Sequence, residues 1–110
     1  MIEKVILDYL KSALPVPVYM EVPEKPPASY VLVEKTSSGR ENHINSAMIA
    51  LQSYAASLYE AATLNESVKT AMDRLTATKD ISAAKLNSDY NYTDTATKQY
   101  RYQAVYDIFY

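Results

Sequence analysis

The sequence predicts a single α+β domain, residues 1–110, with two helices packed on a mostly antiparallel sheet of four to five strands in the order α-β-β-β-α-β-β. Three observations lead there. The chain opens on an amphipathic run at helical spacing. A second helical stripe, with a capping signal, lies in its middle. The β-branched and aromatic runs are grouped around that stripe instead of alternating strictly with helices.

Ile2, Val5, Ile6, Tyr9, Leu10 and Ala13 form one face of the first helix, and Glu3, Lys4, Asp8, Lys11 and Ser12 fill the other. Pro15 stops it, because proline disfavours the helical conformation in the residue before it. All five prolines fall between Pro15 and Pro27, around the short extended run Val16 to Val22. Proline cannot donate to a sheet ladder, so a strand here belongs at an edge or begins at a break. Pro26-Pro27 then act as a stiff spacer.

Tyr30 to Thr36 reads as a strand that turns polar as it leaves the core. Ser37-Ser38-Gly39-Arg40-Glu41-Asn42, which holds the only glycine, reads as the loop after it. Ile44 to Ala55 fits either a strand or, through Ala47, Met48, Leu51 and Tyr54, a helical stripe; a hairpin with the preceding strand favours the strand. Ser57 with Glu60 three residues on makes a capping box, and Leu58, Ala61, Leu64 or Asn65, Val68, Met72 and Leu75 give a buried stripe down to Leu75. Ile81 to Tyr92 and Gln99 to Tyr110 alternate as two final strands, with Asn87, Ser88, Asp89, Asn91 and Asp94 marking turns or strand ends. The matching tetrads Thr76–Lys79 and Thr95–Lys98 that precede them are too short to signal a repeat.

Composition narrows the function. A 48% hydrophobic, 22% charged chain of this length supports one core rather than disorder. The absence of cysteine removes disulfides, cysteine zinc sites and thiol nucleophiles, and fits the interior of a cell. No secretory pattern and no apolar run of about 20 residues is present, so no membrane partner is expected. A net charge of −2 offers no bulk attraction to nucleic acid.

No catalytic constellation emerges. His43, the only histidine, has Glu41 and Ser46 near it in sequence, but a solvated loop histidine is the simpler expectation. Asp89 and Asp94 with Asn87 and Asn91 lack the glycine and terminal glutamate of a calcium loop, so turn chemistry is expected and no metal site. One glycine excludes the phosphate-cradling loops, and no cofactor is expected.

Tyrosine is the anomaly, with 11 against one phenylalanine and no tryptophan. In an extended closing strand Tyr100, Tyr102, Ala104, Tyr106, Ile108 and Tyr110 share one face, and Arg101, Gln103, Val105, Asp107 and Phe109 share the other. The first face is apolar enough to be wanted by a core or a partner. Stacking of bases on it is the alternative, a nucleic-acid binding module, but only Arg101 supplies charge and Asp107 offsets it.

The stretch Leu86 to Tyr106 (Leu-Asn-Ser-Asp-Tyr-Asn-Tyr-Thr-Asp-Thr-Ala-Thr-Lys-Gln-Tyr-Arg-Tyr-Gln-Ala-Val-Tyr) resembles the closing segment of the small tail-terminator proteins of long-tailed bacteriophages, which belong with the tail-completion and head-to-tail joining proteins. The order of elements before it agrees along nearly the whole chain. The resemblance implies a homo-oligomeric ring, commonly hexameric, that caps the tail tube, stops its elongation and joins it to the head. Its partners would be the tail-tube protein and a head-completion or connector protein, with double-stranded DNA passing through without specific binding. It would reside in the virion neck and tail, and in the host cytoplasm during assembly. On that reading Ser37, Ser38, Gly39, Arg40, Glu41, Asn42 and His43 are candidates for the channel or an axial partner, and Tyr100, Tyr102, Tyr106 and Tyr110 for subunit contact or core.

Overall fold

The computed structural model describes residues 1–78 and 80–110. Lys79, the last residue of the first tetrad, lies outside them. The elements run α1 (Ile2–Ala13), β1 (Val18–Tyr19), β2 (Tyr30–Glu41), β3 (Ile44–Tyr54), α2 (Leu58–Met72), a 3-10 turn (Leu75–Ala77), β4 (Ala83–Asn91) and β5 (Arg101–Phe109). This is the α+β order expected from sequence. The strands form one mixed sheet in spatial order β1-β2-β3-β5-β4. β1 runs parallel to β2, and every other pair is antiparallel.

Both helices lie on the same face of the sheet. Ile2, Ile6 and Leu10 of α1 and Ala61, Leu64, Val68, Ala71 and Met72 of α2 pack into one cluster with Val31, Val33, Ile49, Leu51, Ala104, Tyr106 and Ile108. The sheet residues in that cluster alternate along each strand, and directly opposed partners, such as Leu51 with Ala104 and Ile49 with Tyr106, share the helix-facing side. The alternation expected for the closing strand is therefore the one observed. The short β1 is an edge strand, held by the Val31 amide donating to the Pro17 carbonyl at 3.0 Å, as its flanking prolines require.

α2 begins as its capping signal demands: the Glu60 amide donates to Ser57 Oγ at 3.2 Å. Its stripe differs from expectation at both ends. Leu58, the first residue of the helix, is 40% exposed. Leu75 is buried, but from the 3-10 turn after the helix has ended at Met72.

The segment read as a loop, Ser37 to Asn42, is largely strand. β2 continues through Glu41, with Ser37, Ser38, Gly39, Arg40 and Glu41 opposite Met48, Ala47, Ser46, Asn45 and Ile44. Only Asn42 and His43 turn, with φ of 50° and 65°, the paired positive values of a tight two-residue hairpin. Gly39 does not serve the turn and has no positive φ. An added Cβ there would meet Ser46 Oγ at 3.3 Å, so its smallness admits the cross-strand neighbour. Asn87, Ser88, Asp89 and Asn91, read as marking turns or strand ends, lie within β4 inside the expected Ile81 to Tyr92 strand, with one bulge between Leu86 and Ser88; β2 carries a matching irregularity between Lys35 and Ser37.

Candidate functional site

The helices leave one sheet face bare, and the side chains on it are tied together across the strands. Tyr19 meets Tyr30 edge-on at 6.0 Å, and Tyr30 stacks on Tyr54 at 4.6 Å and 6°. The register that sets Tyr30 opposite Tyr54, and Tyr54 opposite Arg101, brings these side chains into one row. The Arg101 guanidinium lies 5.7 Å from the Tyr54 ring centre and 4.5 Å from that of Tyr92. Its Nη1 donates to Tyr54 Oη at 2.9 Å and its Nε to the Tyr92 carbonyl at 2.7 Å.

Beside this row runs a second, polar one. Gln52 Nε2 donates to Gln103 Oε1 at 2.9 Å and to Glu34 Oε2 at 3.3 Å. Gln103 Nε2 in turn donates to Tyr90 Oη at 2.6 Å, and Tyr54 Oη donates to Gln52 Oε1 at 3.0 Å. Gln52 and Gln103 are buried although no helix covers them, each hydrogen-bonded to long side chains of the same face, Glu34 and Tyr54 for Gln52 and Tyr90 for Gln103. Glutamines at these alternate positions, inside runs otherwise apolar, were the available sequence signal for this ladder. The Tyr30 hydroxyl is buried without a partner among the described residues, and burial foremost pushes its ionisation upward.

The candidate residues of the sequence reading do not converge on one place. Ser37 through His43 lie along the outer half of β2 and its turn, all exposed, at a corner of the sheet. Tyr106 is 3% exposed and belongs to the helix-side core. Tyr110 packs partly against the same core. Tyr100 lines a shallow groove with Tyr30, Tyr54, Pro26, Pro27 and Lys98 at the end of the sheet, and Tyr102 is half-buried on the helix side. A base cannot stack on Tyr106; the exposed tyrosines of the bare face are Tyr90 and Tyr92 instead, and the one nearby guanidinium is already engaged.

The acids have separate duties. Asp89 turns to the helix side, where Asn65 Nδ2 donates to it at 3.0 Å and Lys69 Nζ at 2.9 Å. Asp94 Oδ1 accepts the amides of Ala96 and Thr97 at 3.0 and 3.4 Å. Hydrogen bonding with Thr97, then with the Ala96 amide, holds its carboxyl below the usual range. This is turn chemistry. Among the described residues no group of three or more His, Asp or Glu side chains gathers to hold a metal, and no helix is long and apolar enough to cross a membrane. No protein-family model and no curated protein matches the sequence.

Proposed function

We propose that this chain is a structural assembly protein without catalytic function or cofactor: a subunit of a homo-oligomeric, hexameric tail-terminator ring that caps a bacteriophage tail tube, stops its elongation and joins it to the head. Its place would be the virion neck, reached from the host cytoplasm. The observation that carries the reading is how much ordered sheet the fold leaves without cover of its own. Both helices serve one face, and the run Glu34 to Ile44 is exposed throughout although eight of its eleven residues are paired in the β2–β3 hairpin. Surfaces of this kind are completed by other protein. The stretch Leu86 to Tyr106 that carries the family resemblance falls on β4, β5 and their connection, the hairpin at one free edge of the sheet.

A ring needs heterologous contacts whose rotation closes, and a chain of net charge −2 suits a passage through which DNA slides without adhering. The tail-tube protein below and the head-completion or connector protein above would be its axial partners, and the Ser37 to His43 segment, through its side chains and its turn at Asn42 and His43, is the candidate for facing the channel or one of them. The test is electron microscopy of the purified protein, alone and mixed with assembling tail tubes. Rings and tubes capped at one end are expected; a protein that stays monomeric and leaves tube elongation unchanged at every concentration overturns the proposal.

A further inference from the structure

The two free edges of the sheet match each other. On β2, pairing with β1 ends at Leu32, so the outer edge from Val33 to Glu41 is unpaired. On β4 the whole outer edge from Ala83 to Asn91 is unpaired, because β5 lies on the other side. Each strand also carries one extra residue near its middle, between Lys35 and Ser37 on β2 and between Leu86 and Ser88 on β4.

The hydrogen-bond pattern states which backbone groups point outward. The Val31 amide points to β1, so by alternation Val33 and Lys35 point the same way. Beyond the bulge Ser37 and Gly39 face β3, which turns Ser38 and Arg40 outward. On β4 the Tyr92 amide donates to Arg101 of β5, so Asn91 and Asp89 point away from it, and below the bulge Leu86 and Ala84 do. The outward groups thus recur at 33, 35, 38 and 40 on one edge and, read backwards, at 91, 89, 86 and 84 on the other. Both edges have the same interrupted spacing. No backbone hydrogen bond among the described residues reaches any of these groups.

We propose that β4 of one copy pairs antiparallel with the outer half of β2 of a second copy, in the register Val33 with Asn91, Lys35 with Asp89, Ser38 with Leu86 and Arg40 with Ala84. This deepens the ring proposed above and rests on it, since a head-to-tail edge contact between identical chains is heterologous. It is the one register that sets bulge against bulge and satisfies all the outward groups. Nine residues of β4 fill the nine free positions of β2 without displacing β1. Charge agrees: Lys35 faces Asp89 on the helix side, flanked by their existing partners Glu3 at 3.7 Å and Lys69 at 2.9 Å, so signs alternate along the row. On the bare side Lys85, opposite Gly39, sits diagonal to Glu41. Leu86, 46% exposed in one copy, becomes covered.

Cross-linking tests the register directly, because the chain has no cysteine. Positions 34 and 90 would be directly opposed across the contact, in a non-hydrogen-bonded pair suited to a disulfide. Within one copy they are three strands apart, about 14 Å, beyond the roughly 7 Å reach of a disulfide. Mild oxidation of the Glu34→Cys/Tyr90→Cys variant, alone and on tail tubes, is expected to give a ladder of covalent multimers ending at the mass of the native assembly, whereas each single variant gives at most a dimer. Glu41→Cys/Ala83→Cys samples the other end of the same register and serves if the first pair disturbs the fold. If the wild type assembles but neither double variant links beyond the single-variant dimers, the edge contact is overturned and the ring stands. If Glu34→Cys/Ser88→Cys links instead, the register is overturned. If the wild type is monomeric in solution and on tubes, ring and edge contact fall together.

Discussion

At the scale of single residues, Tyr106 shows how the fold uses a tyrosine where a phenylalanine would fill the same space. Its ring is core, while burial, foremost, and the nearby Asp73 push its hydroxyl up to about 12. The folded state therefore holds that proton above the ordinary tyrosine value near 10, so its contribution to stability is complete below about pH 10 and is lost as pH rises toward 12. Urea midpoints between pH 8 and 11.5 should fall for the wild type at the alkaline end, and fall less steeply for Tyr106→Phe; equal slopes refute the assignment. Gln52 shows the converse case, a polar residue on which others depend. Gln52→Ala leaves the Tyr54 hydroxyl without its acceptor and Gln103 without its donor. A loss of about 1–3 kcal/mol is expected from those orphaned groups, read as a lower urea midpoint at unchanged slope.

At the scale of elements, the β2–β3 hairpin separates what sequence shows from what it hides. Tyr30 to Val33 announce a strand because their side chains meet a core, and α2 announces itself through Ser57, Glu60 and a 3.6-residue stripe. Ser37 to Glu41 bury nothing on their own chain, so no hydrophobic period marks them as strand, and Ser-Ser-Gly reads as loop. Their conformation comes from backbone pairing with β3, which side-chain pattern does not record. Asn87 to Asn91 differ, since they fall inside the expected Ile81 to Tyr92 strand; their turn-forming composition is overridden by pairing with β5 and by the grip of Asn65 and Lys69 on Asp89. Of the candidate site, the helix-facing tyrosines of β5, Tyr102 and Tyr106, were legible from alternation, whereas the Arg101 and Gln52 ladders arise from register between distant strands. The turn offers an element-level prediction. His43 holds φ of 65°, a conformation that a side chain resists and glycine accepts. His43→Gly should raise stability by about 1 kcal/mol, measured as a higher urea midpoint, and a lower one would mean the imidazole makes a contact that outweighs the strain.

At the scale of the whole molecule, the extents of 44 × 25 × 25 Å belong to a body whose sheet is open at both edges and covered on one face. A chain that completes itself by pairing with copies gains stability through mass action, since the assembled state is linked to the folded one and not to the unfolded one. The wild-type melting temperature should then rise with protein concentration. A hundredfold increase is worth up to about 2.7 kcal/mol of linkage, which for a domain of this size corresponds to up to roughly 12 °C. Ser38→Pro separates this gain from the intrinsic stability of the fold. Residue 38 is exposed, its amide points away from β3, and proline at an outward position spares the inner ladder while removing one donor from the edge. The variant should melt within a few degrees of the wild type at the lowest concentration, where both are dissociated, and lose most of the concentration dependence. A wild type whose melting temperature is independent of concentration, in solutions where mass measurement shows assembly, would place the contact on surfaces too weakly coupled to folding to be a shared sheet.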